Sequence, residues 1–220
     1  MNPSTISFPK LDVAGAAEKL KKVVLRTPLT LNENLSRRYL CNVYLKREDL
    51  QVVRSYKLRG AYNMMCTLPN EKVRQGVVCA SAGNHAQGFA YSCRKLQLQG
   101  VVFMPNITPK QKVDQTRMFG GDAVEIKLMG DTFDECAVAA KKFTAERQMT
   151  FIPPFEDLRI IEGQATVALE ILEDLSDIDY LFVPVGGGGL ASGTGIYFKN
   201  HSPKTKVIAL RSEERRVGKE

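Results

Sequence analysis

A lysine at position 57 stands where a helix is expected to begin, because apolar residues at helical spacing predict a helix over 57–68. The N-terminus of a helix disfavours a cation and so lowers the pKa of a lysine placed there. A neutral amine is what a lysine needs to condense with a carbonyl group. Taken alone, this feature still fits an ordinary solvated lysine better than a reactive one.

A tight turn of small residues follows a strand predicted over 76–80 and precedes another helix. The turn consists of Ser81, Ala82, Gly83, Asn84 and His85. Backbone N–H groups converge at such a turn and can hold a carboxylate or a phosphate, and Asn84 adds a neutral donor. The alternative is an ordinary capped turn with His85 as a polar neighbour of the cap.

Four consecutive glycines separate a strand predicted over 180–185 from a further helix; they are Gly186, Gly187, Gly188 and Gly189, and Leu190 follows them. Without side chains, the backbone is open to an anion, and a phosphate at a helix N-terminus is the natural occupant. The spacing also fits the dinucleotide pattern G-x-G-x-x-A. That match is weak, because the acidic residue expected near 209–211 is missing.

Together the three segments describe the binding site of a phosphorylated carbonyl cofactor. The lysine offers an amine for an aldehyde, the glycines offer a cradle for a phosphate, and an asparagine lies beside a turn that binds carboxylates. Pyridoxal 5′-phosphate meets all three demands.

The elements that must position these residues alternate between strand and helix. Strands are predicted over 43–46, 101–104, 123–128 and 206–210, and helices over 108–119, 131–147 and 159–175. Such alternation predicts an α/β fold with a parallel sheet. The turn at Pro153 and Pro154 is the predicted boundary between two lobes.

Composition narrows the function classes. The 220 residues are 44% apolar and 25% charged, as in an ordinary globular chain, and no apolar run is long enough to span a membrane. The net charge is +7, but the basic residues are scattered, so nucleic-acid binding is not expected. Without a secretory signal, a cytoplasmic location is expected. The five cysteines form no metal-binding or disulfide pattern, and we expect buried free thiols.

Five ordered segments resemble the threonine dehydratases (threonine ammonia-lyases), which have the tryptophan-synthase-β-like fold of pyridoxal-phosphate enzymes. The segments are KREDLQ at 46–51, SYKLRG at 55–60, SAGNHAQG at 81–88, PFED at 154–157 with EGQ at 162–164, and GGGGL at 186–190. The resemblance implies a two-lobed α/β enzyme that assembles into a homo-oligomer when full length. It places 1–56 and 151–210 in the large lobe and 57–150 in the small lobe.

The resemblance also implies roles for individual residues. Lys57 is similar to the Schiff-base lysine that removes the Cα proton. Tyr56 is similar to the residue near the cofactor ring, where the family often has Phe. Asn84 would bind the ring hydroxyl, residues 81–85 the substrate carboxylate, and residues 186–190 the phosphate. The implied reaction converts L-threonine to 2-oxobutanoate and ammonia. The residues VVRS at 52–55 favour the biosynthetic, isoleucine-pathway form of the enzyme.

Other functions stay open at this point. Serine dehydratase and serine racemase share the fold, and the pocket that distinguishes a methyl group from a hydrogen has no short signature. A nicotinamide-binding oxidoreductase built on the glycine loop and a non-catalytic fragment are further alternatives. After Leu210 the sequence departs from the family, so we expect a truncated C-terminus that lacks the contact to the pyridine nitrogen. Residues 211–220 are expected to be a non-native or disordered tail.

Overall fold

The computed structural model describes residues 8–211. The helices in this range are α1 (Val13–Leu20), α2 (Glu33–Tyr39), α3 (Lys57–Thr67), α4 (Asn70–Val73), α5 (Asn84–Leu96), α6 (Lys110–Gly120), α7 (Phe133–Glu146), α8 (Leu158–Asp174) and α9 (Gly189–His201). The strands are β1 (Leu29–Leu31), β2 (Tyr44–Lys46), β3 (Val77–Ala80), β4 (Gly100–Met104), β5 (Val124–Leu128), β6 (Thr150–Phe151), β7 (Tyr180–Pro184) and β8 (Lys206–Leu210). Short 3₁₀ turns cover Glu48–Leu50 and Gly121–Ala123.

A parallel sheet of four strands, in the order β5-β4-β3-β6, forms the core around the predicted turn. Its central strands β3 and β4 are buried along their whole length. Alternate residues reach opposite faces: Cys79 packs in one cluster with Phe89 of α5, and Phe103 packs in another with Cys136 of α7. Helices cover both faces of the sheet, which confirms the α/β class and the parallel strands.

The strand order of this sheet reverses at β3. Strands β4 and β5 lie on one side of β3, whereas β6, the next strand along the chain, lies on the other. In open α/β sheets, ligands bind beyond the carboxyl ends of the strands at such a reversal. The turn that begins at Ser81 follows β3, and the segment from Ile152 to Phe155 follows β6. The topology therefore brings these two segments to one edge of the sheet.

Two smaller sheets and the long helix α8 build the rest of the described chain. Strands β7 and β8 are parallel, and β1 and β2 are antiparallel. The apolar side chains of Ile171 in α8, Val183 in β7 and Phe198 in α9 share one buried cluster. This cluster anchors the helix that follows the glycine loop against α8.

Glycines allow α8 to approach both α3 and α9 at backbone distance. A Cβ atom added at Gly163 would lie 2.5 Å from the carbonyl oxygen of Arg59 in α3, and one added at Gly193 of α9 would lie 2.6 Å from the carbonyl oxygen of Ile161. Real side chains do not tolerate such distances. Helix α8 thus fixes the relative position of the helix that begins at Lys57 and the helix that begins at the glycine loop.

The structure agrees with most of the sequence predictions for the elements. Each predicted strand and helix is present within two residues of its expected bounds. The sequence patterns do not predict the N-terminal elements α1, β1 and α2, the short helix α4 or the two-residue strand β6. The two-lobe boundary remains a prediction, and residues 212–220 of the expected tail lie outside the described residues. Among the described helices, none is long and apolar enough to cross a membrane.

The prediction for the cysteines was partly wrong. All five are free thiols, but only Cys79, Cys93 and Cys136 are buried, whereas Cys66 is half-buried and Cys41 is exposed. Cys41 directly follows the exposed end of α2, a helix with no buried residue, so nothing covers its side chain.

Candidate active site

Lys57 begins α3 and turns its amine toward the segment that follows β6. Its Nζ atom donates a hydrogen bond of 2.8 Å to the carbonyl oxygen of Pro154. The same nitrogen lies 5.5 Å from the ring centroid of Tyr56 and 5.9 Å from that of Phe155. Burial lowers the pKa of Lys57 to about 8. The sequence predicted a lowered pKa from the position of Lys57 at the helix end, whereas the cause found in the structure is burial. The amine is therefore partly neutral near pH 8.

The turn after β3 is an open helix N-terminus, as predicted. The first turn of α5 has no side-chain cap among the described residues, and the N–H of Gly83 donates to Ser81 Oγ at 3.2 Å. A Cβ atom added at Gly83 would meet no atom within 4 Å, so the space in front of the turn is free. Asn84 is exposed there. The uncapped N–H groups of this turn can bind an anion.

His85 belongs to this turn in sequence, but its side chain points away from it into the core. The imidazole is buried, and its Nε2 lies 3.0 Å from the carbonyl oxygen of Ile152. Because the partner is a carbonyl, Nε2 carries the proton and donates. Burial lowers the pKa of His85 to about 4, so the ring is neutral at pH 7. His85 can therefore offer a bound carboxylate its backbone N–H but no positive charge, and it is not the polar neighbour of a cap.

Gly88 brings the turn and the lysine together. A Cβ atom at this position would lie 2.9 Å from the backbone nitrogen of Leu58 and 3.1 Å from the carbonyl carbon of Lys57. The second turn of α5 therefore packs directly on the start of α3. This contact places the start of α3 beside the turn at 81–85, whose role in binding an anion stays a prediction.

The glycine loop connects β7 to α9 and requires glycine at two positions for different reasons. Gly188 has φ +93°, a left-handed conformation that glycine adopts without strain. Gly187 has no room for a side chain, because an added Cβ would lie 2.1 Å from Cδ1 of Phe155. Leu190 turns its side chain into the core, so only its backbone N–H can face a phosphate. Added Cβ atoms at Gly186 and Gly188 would meet no atom within 4 Å, and the loop is open on that side.

Phe155 joins the lysine to the glycine loop. Its ring packs on Gly187, its backbone lies close to Gly189, and its centroid is 5.9 Å from Lys57 Nζ. The preceding carbonyl, that of Pro154, accepts the hydrogen bond from the lysine. The short segment after β6 thus contacts both elements that the sequence assigned to one cofactor. From the sequence, this segment was a family signature next to the predicted lobe boundary at Pro153 and Pro154, and it had no predicted role in the site.

A buried cluster of four charges behind Lys57 was also missed. Arg59, two residues after the lysine, is fully buried and pairs with Glu48 and Glu170, and Lys46 pairs with Glu170 as well. A signal was present in the sequence, because Arg59 and Asn63 form a polar i, i+4 pair on a helix that is otherwise largely apolar.

Comparison with known proteins is consistent with this geometry. The family described as "Pyridoxal-phosphate dependent enzyme" matches residues 20–218. The chain is 57% identical over 198 residues to the L-threonine dehydratase biosynthetic IlvA of Halalkalibacterium halodurans; this match covers 90% of the chain and 48% of that protein. The chain therefore spans about half the length of the curated relatives it matches.

Solved structures match over most of the described chain. The processed form of threonine deaminase isoform 2 from Solanum lycopersicum superposes with a TM-score of 0.84 at 42% identity, covering 92% of this chain and 60% of that one. Serine racemase from Dictyostelium discoideum superposes with a TM-score of 0.85 at 31% identity, covering 92% and 65%. The fold is thus shared by both, and sequence identity is higher to the threonine deaminase.

Proposed function

This chain belongs to the family of pyridoxal-phosphate dependent enzymes, and we propose that it serves the conversion of L-threonine to 2-oxobutanoate and ammonia. One observation carries the proposal: the half-buried amine of Lys57 donates to the Pro154 carbonyl at 2.8 Å and lies 5.9 Å from the centroid of the Phe155 ring, which itself packs on the glycine loop. The high identity to biosynthetic threonine dehydratases supports threonine as substrate and isoleucine biosynthesis as the context.

The residues of this chain fit the cofactor of the family. When bound, pyridoxal phosphate would supply an aldehyde that joins an amine and a ring that stabilises negative charge at the carbon beside the substrate nitrogen. Lys57 offers the amine, and the open loop at 186–190 offers backbone N–H groups to the phosphate. In the proposal, Asn84 donates to the ring hydroxyl and Tyr56 lies against the ring.

Lys57 has a second task in the proposal, which is to remove the proton from the Cα atom of the substrate. A base works best when its pKa lies near the working pH, and burial brings that of Lys57 to about 8. A neutral amine that donates one hydrogen to Pro154 keeps its lone pair available to accept the proton. Residues 81–85 would hold the substrate carboxylate through backbone N–H groups, since His85 is neutral.

The proposal also covers the lobes, the class of substrate, the location and the oligomeric state. The lobes are those expected from the sequence, 57–150 and the chain on both sides of it. The whole protein acts on a small amino acid, in the cytoplasm, as a homo-oligomer. The alternatives have less support: identity to a serine racemase is 31%, against 57% to a threonine dehydratase. A nicotinamide-binding oxidoreductase would belong to another family than the one matched.

The proposal is tested by asking which lysine the cofactor joins. The chain is incubated with pyridoxal phosphate, reduced with borohydride, and mapped by peptide mass spectrometry. We expect the label at Lys57, and we expect Lys57→Ala to lose it. Lys110→Ala is the matched control, because that side chain is 88% exposed and lies on another helix. A label spread evenly over exposed lysines, unchanged by Lys57→Ala, would contradict the proposal.

The substrate is tested with the same preparations. Formation of 2-oxobutanoate from L-threonine that depends on Lys57 would support the proposed reaction. If kcat/KM is higher for pyruvate formation from L-serine than for 2-oxobutanoate formation from L-threonine, the serine dehydratase alternative is favoured. Racemised serine would favour serine racemase. A specific label at Lys57 with no turnover of either amino acid would support the cofactor site and the non-catalytic alternative.

A further inference from the structure

Arg59 forms the centre of a fully paired cluster on the side of α3 that faces α8. Its guanidinium donates to both carboxylate oxygens of Glu48, at 2.9 and 2.8 Å, and to both of Glu170, at 2.6 and 2.9 Å. It also donates to the hydroxyl of Thr166 at 3.0 Å. Lys46 balances the second carboxylate through a 2.6 Å contact to Glu170. Two cations and two carboxylates leave the cluster without net charge.

The cluster ties together the segments that surround the lysine. Glu48 lies just after β2, Arg59 lies in the first turn of α3, and Thr166 and Glu170 lie on α8. The two ends of the hydrogen bond from Lys57 to Pro154 are connected along the chain to the same two helices. Lys57 is the first residue of α3, and α8 begins at Leu158, four residues after Pro154. A shift between α3 and α8 would therefore move donor and acceptor apart.

The start of α3 has little else to hold it from within the helix. Tyr56, its N-cap residue, makes no side-chain capping bond. The first turn of a helix without a cap frays more easily than the rest. Arg59 fixes the first turn of α3 in place of a capping bond, because a planar guanidinium held by two carboxylates has one orientation.

We infer that Arg59, held by Glu48 and Glu170, is a positioning residue that fixes the amine of Lys57 at the cofactor site. Arg59 does not touch the amine; it acts through the first turn of α3 and through α8. The inference rests on the proposed function, in which Lys57 joins the cofactor. A purely structural arginine would change stability but not the reactivity of Lys57 in folded molecules.

The test measures the rate of covalent attachment of pyridoxal phosphate at Lys57 by borohydride reduction and peptide mass spectrometry. Attachment at exposed Lys110 in the same sample is the internal reference. Rates are taken above about pH 9, where the Lys57 amine is mostly neutral given its pKa of about 8, so that a difference reports geometry. Circular dichroism and thermal unfolding give the folded fraction by which each rate is divided.

We expect Arg59→Met and Arg59→Lys to lower the Lys57 rate on the order of 10- to 100-fold, because small misplacements of a reacting group have effects of that size. Arg59→Lys keeps the charge but loses the planar fork. Arg26→Met is the matched control, since Arg26 pairs with Glu173 and Asp174 of α8 at the surface and, within the described residues, forms no ion pair with α3. It should leave the rate unchanged.

Thr166→Val keeps the inference falsifiable if Arg59→Met does not fold. This variant removes the hydrogen bond to Arg59 together with the one that Thr166 donates to the Gly163 carbonyl, and it leaves no charge unpaired. We expect a few-fold lower rate. Folded Arg59→Lys and Thr166→Val proteins that react like the unmodified chain would overturn the inference. If the unmodified chain itself shows no preference for Lys57, the proposed function fails instead, so the two failures are distinguishable.

Discussion

Lys57 is the residue on which the proposed chemistry depends, and its burial gives that chemistry a pH dependence. Only the neutral amine attacks an aldehyde, and the pKa of Lys57 is lowered from 10.5 to about 8. We therefore expect attachment of pyridoxal phosphate at Lys57 to rise through about pH 8 and to level off above about pH 9. Attachment to free Nα-acetyl-lysine amide, measured alongside, should keep rising toward about pH 10.4, the ordinary lysine pKa. Parallel profiles, measured by borohydride reduction at a series of pH values, would contradict this expectation.

His85 predicts a loss of stability in mild acid. Its pKa is lowered by burial from 6.5 to about 4 in the folded chain, so the unfolded chain binds more protons between these values. The stability that the neutral ring contributes is present above pH 6.5 and is lost as the pH falls toward 4. Between pH 7 and pH 5 the free energy of unfolding should fall by about 2 kcal/mol from this group alone. The free energy of unfolding is measured by urea denaturation at both pH values, and its fall should be smaller in His85→Gln by about that amount. An equal fall in both proteins would exclude His85 as the cause.

At the residue scale, the sequence predicted what depends on local spacing. The lysine, the turn and the glycine loop each stand at the junction of a strand or loop with a helix, and such junctions can be found from short patterns. The inward orientation of His85 depends on Ile152, 67 residues away, and the burial of Arg59 depends on Glu170, 111 residues away. Partners so distant along the chain are not visible in a local pattern.

The helix crossing at Gly163 gives a test at the scale of elements. A methyl group at this position would lie 2.5 Å from the Arg59 carbonyl oxygen, so α3 and α8 would have to separate. We expect Gly163→Ala to lower the free energy of unfolding by about 1–3 kcal/mol, as overpacking does. Chemical denaturation would measure the change, together with a lower rate of attachment at Lys57.

Gly195→Ala is the matched control for that substitution. Gly195 also lies inside a helix, but an added Cβ would meet no atom within 4 Å. Alanine favours the helix over glycine, so the control should stabilise the chain by about 0.5–1 kcal/mol. Destabilisation of the same size at both positions would mean that the loss at Gly163 does not come from the crossing.

The elements themselves were predictable where burial is strong. Strands β3 and β4 are continuous apolar runs because both faces of the sheet are covered, and the helices between them carry an apolar face. Helix α2 buries no residue, so it has no apolar pattern to detect. Helix α1 has only eight residues, although Asp12 caps it by accepting from the N–H of Gly15, a signal that was present in the sequence.

At the scale of the whole molecule, the sheet of β7 and β8 exposes apolar side chains that a folded chain normally covers. Phe182 is 60% exposed and Tyr180 is 51% exposed, and their rings stack at 6.3 Å on the same face. Leu210 at the end of β8 is 50% exposed. Apolar patches of this kind, on a sheet whose edges are unpaired within residues 8–211, favour association with other chains.

We therefore expect the 220-residue chain to self-associate through this face, and Phe182→Lys to weaken the association. Burial of a phenylalanine contributes about 1.5–3 kcal/mol, so the concentration at which light scattering rises should increase roughly tenfold or more. Leu40→Lys is the control, because Leu40 is 91% exposed at the end of α2, on a different element. Both variants carry the same added charge, so only the position of the substitution differs. An equal shift in both would mean that charge alone reduces association, and no concentration dependence in the unmodified chain would mean that the face stays free in solution.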